Sequence, residues 1–189
     1  MTEATHNQRY RIYSQITRSA ILHLEDALDI GKVRLFLLSY RRGQGARATV
    51  DHYLDLADAR VLAADLAQGR LPERFIDYKG SPQGREGKPL SRVLKLDDRG
   101  EGQRAPIVLQ VSHGPGQVVG EGAIKPAGKA DAEIAILLTR WQARRLGHAL
   151  LAHLQAWEVV TFRRRTTPEP GGGYRLREEG PEWVVEDFL

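Results

Sequence analysis

Alternating apolar and polar positions divide the chain into short strands and two helices. Ser19-Ala20-Ile21-Leu22-His23-Leu24-Glu25-Asp26 reads as a strand running into an acidic turn, and the pattern returns at Ser91-Arg92-Val93-Leu94-Lys95-Leu96-Asp97-Asp98. Each is followed by a second β-type run, residues 33–40 in the first half and 107–113 in the second. Next comes a Gly-containing segment that predicts a turn, Arg41-Arg42-Gly43-Gln44-Gly45 and then Gly114-Pro115-Gly116. A third alternating strand follows at 46–56 and at 132–138. Both halves finish in a helix, 58–68 closed by Gly69, and 140 to about 162 behind Thr139 as N-cap. Segments 9–16, 75–78 and 118–124 are candidates for a fourth strand per half.

Element order therefore repeats, and repetition at this scale indicates duplication. The expected fold is α+β: two β-β-β(-β)-α repeats, each a twisted antiparallel sheet backed by a helix. The expected boundaries are an N-terminal extension with a candidate strand (1–18), repeat one (19–78) and a basic Gly/Pro loop (79–90). Repeat two with its long helix (91–165) and a linker with an acidic C-terminal segment (166–189) complete the chain. On the long helix Leu146, Leu150, Leu154, Trp157 and Thr161 fall at i+4 and i+3 spacing and predict an apolar stripe. A helix covering one sheet face leaves the other face free for a ligand or a partner sheet.

Strand phase says what that free face carries. Along 33–42, one set of positions is Val33, Leu35, Leu37 and Ser39, a core set; the other is Arg34, Phe36, Leu38, Tyr40 and Arg42. The next strand separates Val50, His52 and Leu54 from Arg47, Thr49, Asp51 and Tyr53. Rings alternating with guanidinium groups suit unpaired nucleic acid, with platforms for bases and cations for phosphates. The alternative is that Phe36 and Tyr53 pack beneath the partner repeat and the arginines are merely solvated.

Charge distribution sharpens this picture. The 189 residues hold 28 Lys and Arg against 24 Asp and Glu, a net charge of +4. Residues 32–47 carry Lys32, Arg34, Arg41, Arg42 and Arg47 with no acid, and 79–95 carry Lys79, Arg85, Lys88, Arg92 and Lys95 against Glu86. A third basic block spans 140–165. The sign reverses at 178–189, where Glu178, Glu179, Glu182, Glu186 and Asp187 meet no base. Basic blocks on a globular body point to a polyanion partner. The candidate nucleic-acid residues are Arg34, Phe36, Tyr40, Arg41, Arg42, Arg47 and Tyr53, with Lys79, Arg85 and Lys88 from the loop.

Two β-β-β(-β)-α repeats with basic, aromatic-bearing strands resemble the PUR-repeat and Whirly group of single-stranded nucleic-acid binders. The junction Leu138-Thr139-Arg140-Trp141-Gln142-Ala143-Arg144-Arg145-Leu146 is similar to the strand-to-helix step of the related positive-cofactor transcriptional coactivators. The resemblance spans roughly residues 19–162. It implies a curved antiparallel sheet, single-stranded DNA or RNA as ligand (DNA ahead of RNA), and a homodimer. In the second repeat Val108, Gln110 and Ser112 stand where Arg34, Phe36 and Leu38 stand in the first, so the first repeat is expected to be the main platform. The other reading is a protein-interaction or transcription-regulatory module that oligomerises through its sheets.

Other classes find less support. There is no Cys, which excludes disulfide scaffolds, Cys-ligated metal and thiol catalysis. Gly114 to Gly122 lacks phosphate-loop spacing, and His148 and His153 are five apart, off the i, i+4 spacing of a helical metal pair. No nucleophile elbow or histidine-bearing acid–base pair stands out, so no enzyme, metal or cofactor is expected. No apolar run reaches the roughly 20 residues of a membrane span and no signal core is seen, so the expectation is a cytoplasmic protein without membrane contact, in bacterial cytoplasm or nucleoid. Past the Gly/Pro linker, Glu186-Asp187-Phe188-Leu189 is similar to the partner-recruiting tails of bacterial single-strand-binding proteins. That implies a protein partner through these four residues. A hairpin around Gly180-Pro181 packed on the domain is the alternative.

Overall fold

The computed structural model describes residues 9–71, 74–84, 87–120 and 123–166. Strands β1 (Arg11–Ile16), β2 (Ala20–Ala27), β3 (Lys32–Arg41) and β4 (Gly45–Asp55) pair antiparallel in that order, and α1 (Leu56–Gln68) follows. The second half repeats the plan with β5 (Arg74–Ser81), β6 (Leu90–Asp98) and β7 (Ile107–Val119). After the short β8 (Ala123–Pro126), β9 (Ala132–Leu138) leads into α2 (Arg140–Thr166). β7 is long enough to hold two partners: Ile107–His113 pairs β9 and Gly116–Val119 pairs β8. The two copies of the duplicated octet occupy equivalent places, each the second strand of its sheet.

The chain divides into two compact units, residues 1–151 and 152–189. Both sheets, α1 and the first part of α2 belong to the first. Strand alternation has the expected phase: Leu22, Leu24, Val33, Leu35, Leu37, Val50 and Leu54 are buried on the inner side of the first sheet. Leu94, Leu96, Leu109, Val111, Ile136 and Leu138 do the same for the second. Leu62 and Leu66 of α1 and Leu146 and Leu150 of α2 join this core.

Local chemistry explains both helix starts. Thr139 and Gln142 form a capping box: Gln142 N–H donates to Thr139 Oγ1 at 3.1 Å and Thr139 N–H donates to Gln142 Oε1 at 2.9 Å. At α1 the N-cap Asp55 makes no side-chain bond to the helix, because its carboxylate is held by Lys32 and Lys79 instead. The helices meet where α2 has no side chain. A Cβ on Gly147 would stand 2.5 Å from Ala67 N and 2.7 Å from Ala63 O.

Three expectations change. β1 lies within the expected 1–18 extension yet completes the first sheet, because Tyr13 pairs opposite Leu24 and is buried with it. β5 belongs to the second sheet and runs through Lys79 to Ser81, so the 79–90 loop shortens to the residues between Ser81 and Leu90. Gly114-Pro115-Gly116 is no turn; it continues β7. These glycines serve close approach: a Cβ on Gly116 would meet Ile124 Cγ2 at 2.6 Å and Ser91 N at 3.0 Å, and one on Gly114 would meet Ala130 Cα at 3.0 Å.

Candidate nucleic-acid interface

Among the described residues the core leaves a void of only about 10 Å³, lined by leucines and a valine, which has no room for a ligand. Register defines the outer face of the first sheet. Ile16, Ile21, Leu38 and Thr49 form one row across the four strands, and Ser14, His23, Phe36 and Asp51 form the next. Glu25, Arg34 and Tyr53 form the third. Ile16 is 62% exposed. The imidazole of His23 stacks on Phe36 with centroids 6.2 Å apart and planes 7° from parallel, and Ser14 Oγ lies 3.0 Å from His23 Nδ1. Burial and the Arg11 charge lower the His23 pKa, against an opposing pull from Glu25. The ring is therefore a flat neutral surface at neutral pH.

Arg34 lies over both predicted rings, 4.9 Å from the Phe36 centroid and 5.8 Å from that of Tyr53. Its charge is already matched. Nη1 donates to Glu25 at 2.9 Å, and Nε and Nη2 donate to Asp51 at 3.1 and 2.8 Å. Asp51 also receives Arg92 Nε at 3.1 Å, and His113 Nε2 lies 3.3 Å from Oδ1 and 2.7 Å from its backbone oxygen. Burial alone would raise the Asp51 pKa. The hydrogen bonds from His113 and Arg34 and the charges of Arg34 and Arg92 outweigh it and hold the carboxyl well below the usual range. This is a strap between β3, β4, β6 and β7.

A second strap sits at the Asp55 end. His52, fully buried, places Nε2 2.7 Å from Asp77 Oδ2, and Lys79 contacts Asp55 at 2.6 Å and Asp77 at 3.2 Å. Burial opposes ionisation of Asp77, but His52 and Lys79 bring its pKa below the ordinary value. Both straps contain His–Asp pairs that the one-dimensional pattern conceals. His52 is sealed from any substrate, and His113 is committed to the Asp51 backbone, so neither pair offers a reacting atom.

The opposite end of the first sheet is differently charged. Arg41 and Arg42 are exposed at the tip of the β3–β4 hairpin, and Arg47 is the extra residue of a bulge, since Ser39 pairs with Ala48 but Tyr40 with Ala46. Tyr40 Oη donates to Thr17 O at 2.6 Å, and Tyr40 N–H donates to Ser19 O at 2.9 Å. Those two bonds hold the β1–β2 turn, and with it exposed Arg18, beside the hairpin. Among the described residues Arg18, Arg41, Arg42 and Arg47 have no carboxylate partner, and segments 16–19 and 38–49 contain no acid.

The structure thus gathers Phe36, Tyr40, Arg41, Arg42 and Arg47 on one sheet or its tip, and leaves Arg34 and Tyr53 inside an ion-paired row. Lys79 belongs to the far end: from Arg41 to Lys32, the partner of Asp55, is nine steps of about 3.3 Å, or roughly 30 Å. Lys88 is exposed between β5 and β6, while Arg85 and Glu186, Asp187, Phe188 and Leu189 lie outside the described residues. Arg18, His23, Ile16 and Ile21 join the surface through register alone. The repeat of the octet in 19–26 was the signal for His23 and Ile21; for Arg18 there was none short of pairing β1 with β2.

Among the described residues no group of His, Cys, Asp and Glu could hold a metal ion, and no helix is long and apolar enough to cross a membrane.

Two antiparallel sheets, each followed by a helix, with the same strand order in both halves, define an α+β fold seen in solved structures. One is the plant transcriptional regulator PBF-2, at TM-score 0.51 and 16% identity over 83% of this chain and 96% of that one. Another is WHY3 from Arabidopsis thaliana, at TM-score 0.51 and 16% identity over 82% and 94%. Both are Whirly proteins, so the Whirly part of the resemblance holds at the level of fold. No family model and no curated protein matches the chain.

Proposed function

We propose that this protein binds single-stranded nucleic acid, without catalysis, on the outer face of its first sheet. Phosphates meet Arg18, Arg41, Arg42 and Arg47 at the hairpin end. Unstacked bases lie along Ile16, Ile21 and Leu38 and on the His23–Phe36 pair. One observation carries the reading: four arginines without carboxylate partners among the described residues adjoin an apolar, ring-bearing sheet face whose central cation, Arg34, is neutralised by Glu25 and Asp51. Free guanidinium groups supply affinity and exposed flat or apolar side chains supply sequence-tolerant stacking. The likeness to a transcriptional regulator of the same fold supports it.

The test is fluorescence anisotropy with labelled single-stranded DNA, single-stranded RNA and duplex DNA across a salt series. Single strands should bind more tightly than the duplex. R42Q and R47Q should each lower the slope of log K against log salt by about 0.7. R34Q should leave the slope unchanged, because its charge is already matched within the protein. Equal slopes in R42Q, R47Q and the parent protein would remove this face from consideration.

A further inference from the structure

Among the described residues His23 is the one histidine on the outer face of the first sheet; His52 and His113 serve the straps, and His148 and His153 are on α2. Its contacts use only part of its chemistry. Nδ1 lies 3.0 Å from Ser14 Oγ and the ring stacks on Phe36, whereas Nε2 has no protein partner among the described residues and is not sealed from solvent. A serine hydroxyl can both donate and accept. Ser14 therefore satisfies Nδ1 whether that nitrogen is bare or carries a proton, and it holds the ring in place without fixing its charge.

The titratable groups around it come from all four strands: Arg11 on β1, Glu25 on β2, Arg34 on β3, and Asp51 and Tyr53 on β4. Burial disfavours an imidazolium here and Arg11 repels it; Glu25 pulls the other way, but Arg34 already holds that carboxylate at 2.9 Å. Asp51 is likewise taken by Arg34 and Arg92, at 2.8 and 3.1 Å. The surroundings of the ring thus lack an uncompensated anion, which a phosphodiester would supply. His23 stands two residues along β2 from Ile21, about 7 Å farther from the hairpin arginines. A strand anchored at the hairpin and running over the Ile21–Leu38 row therefore reaches His23 next. We propose that His23 is a proton-dependent phosphate contact: the bound strand draws a proton from solvent onto the imidazole, which then donates Nε2–H to a phosphate oxygen and Nδ1–H to Ser14 Oγ. The inference rests on the proposed function and adds regulation by pH to that same site. Because the phosphate favours the charged ring, the bound ring titrates at a higher pH than the free one. Affinity climbs as pH falls through the bound value and levels off below the free value. A separation of about one pH unit gives about a ten-fold gain.

Fluorescence anisotropy of the full chain with labelled oligothymidylate, whose bases do not titrate between pH 5 and pH 8, tests it at fixed ionic strength. Parent affinity should rise about ten-fold from pH 8 to pH 5, and the slope of log K against log salt should steepen by about 0.7 for the added phosphate contact. H23Q should show neither change. H23K, with a fixed charge, should keep the steeper slope at both pH values. Titration of the histidine Cε1 protons by NMR needs no variant: one ring should titrate about one pH unit higher with the oligonucleotide than without it. A parent protein that binds equally well at both pH values overturns this inference and leaves the nucleic-acid reading standing. So does a pH response that persists in folded H23Q, a gain in affinity without a change in slope, or a set of rings whose titrations do not move. A protein that binds no single strand at either pH overturns both.

Discussion

Arg34 shows that a cation's position on a sheet face does not establish its availability. Alternation along β3 places it correctly, between the Phe36 and Tyr53 rings, but its two carboxylate partners come from β2 and β4, 9 and 17 residues away. Asp51, at the centre of that network, makes a prediction about pH. Its folded pKa lies below the unfolded carboxyl value of about 3.9, so its contribution to stability is complete well above that value. The contribution fades as pH falls from about 5 through the unfolded value and on toward the folded one. Urea midpoints should therefore drop between pH 6 and pH 3. D51N should be less stable at pH 6 and show a smaller drop, whereas parallel pH profiles for the two proteins would mean that Asp51 carries no such linkage.

Strands and helices were the most legible layer. Period-two alternation located the core strands of both halves within a few residues, because each buries one face and exposes the other. Glycine was misleading for a physical reason: at Gly114 and Gly116 the missing side chain makes room for β8 and its neighbours, and a sequence gives the same letter for a turn and for a close approach. Gly147 serves the same purpose between α1 and α2. Gly147→Ala gains up to about 1 kcal/mol of helix propensity but forces a methyl group against the α1 backbone. Overpacking of this kind costs about 1–3 kcal/mol, so a net fall of a few degrees in melting temperature is expected by calorimetry. An unchanged or higher value would show that the helices separate freely at this point. The candidate site was less legible than the strands. Arg41, Arg42 and Arg47 are local in sequence, whereas Arg18 joins them only because Tyr40 bonds the β1–β2 turn.

At the scale of the whole molecule, two straps of paired charge tie the sheets together along β4, one at Asp51 and one at Asp55 and Asp77. Conserving charge there leaves the surplus positive charge of the first sheet concentrated at its hairpin end, about 30 Å from the neutralised end. That separation exceeds the Debye length of about 8 Å at physiological ionic strength, so an approaching polyanion senses the two ends independently. The consequence is kinetic. On the proposed function, a diffusing strand would be drawn to the hairpin before it touches the His23–Phe36 pair, and the sheet would then fill from that end. Stopped-flow association rates should accordingly fall with added salt and with R41Q or R42Q, while dissociation changes comparatively little. Phe36→Ala should have the reverse signature, a faster release with a nearly unaltered encounter rate.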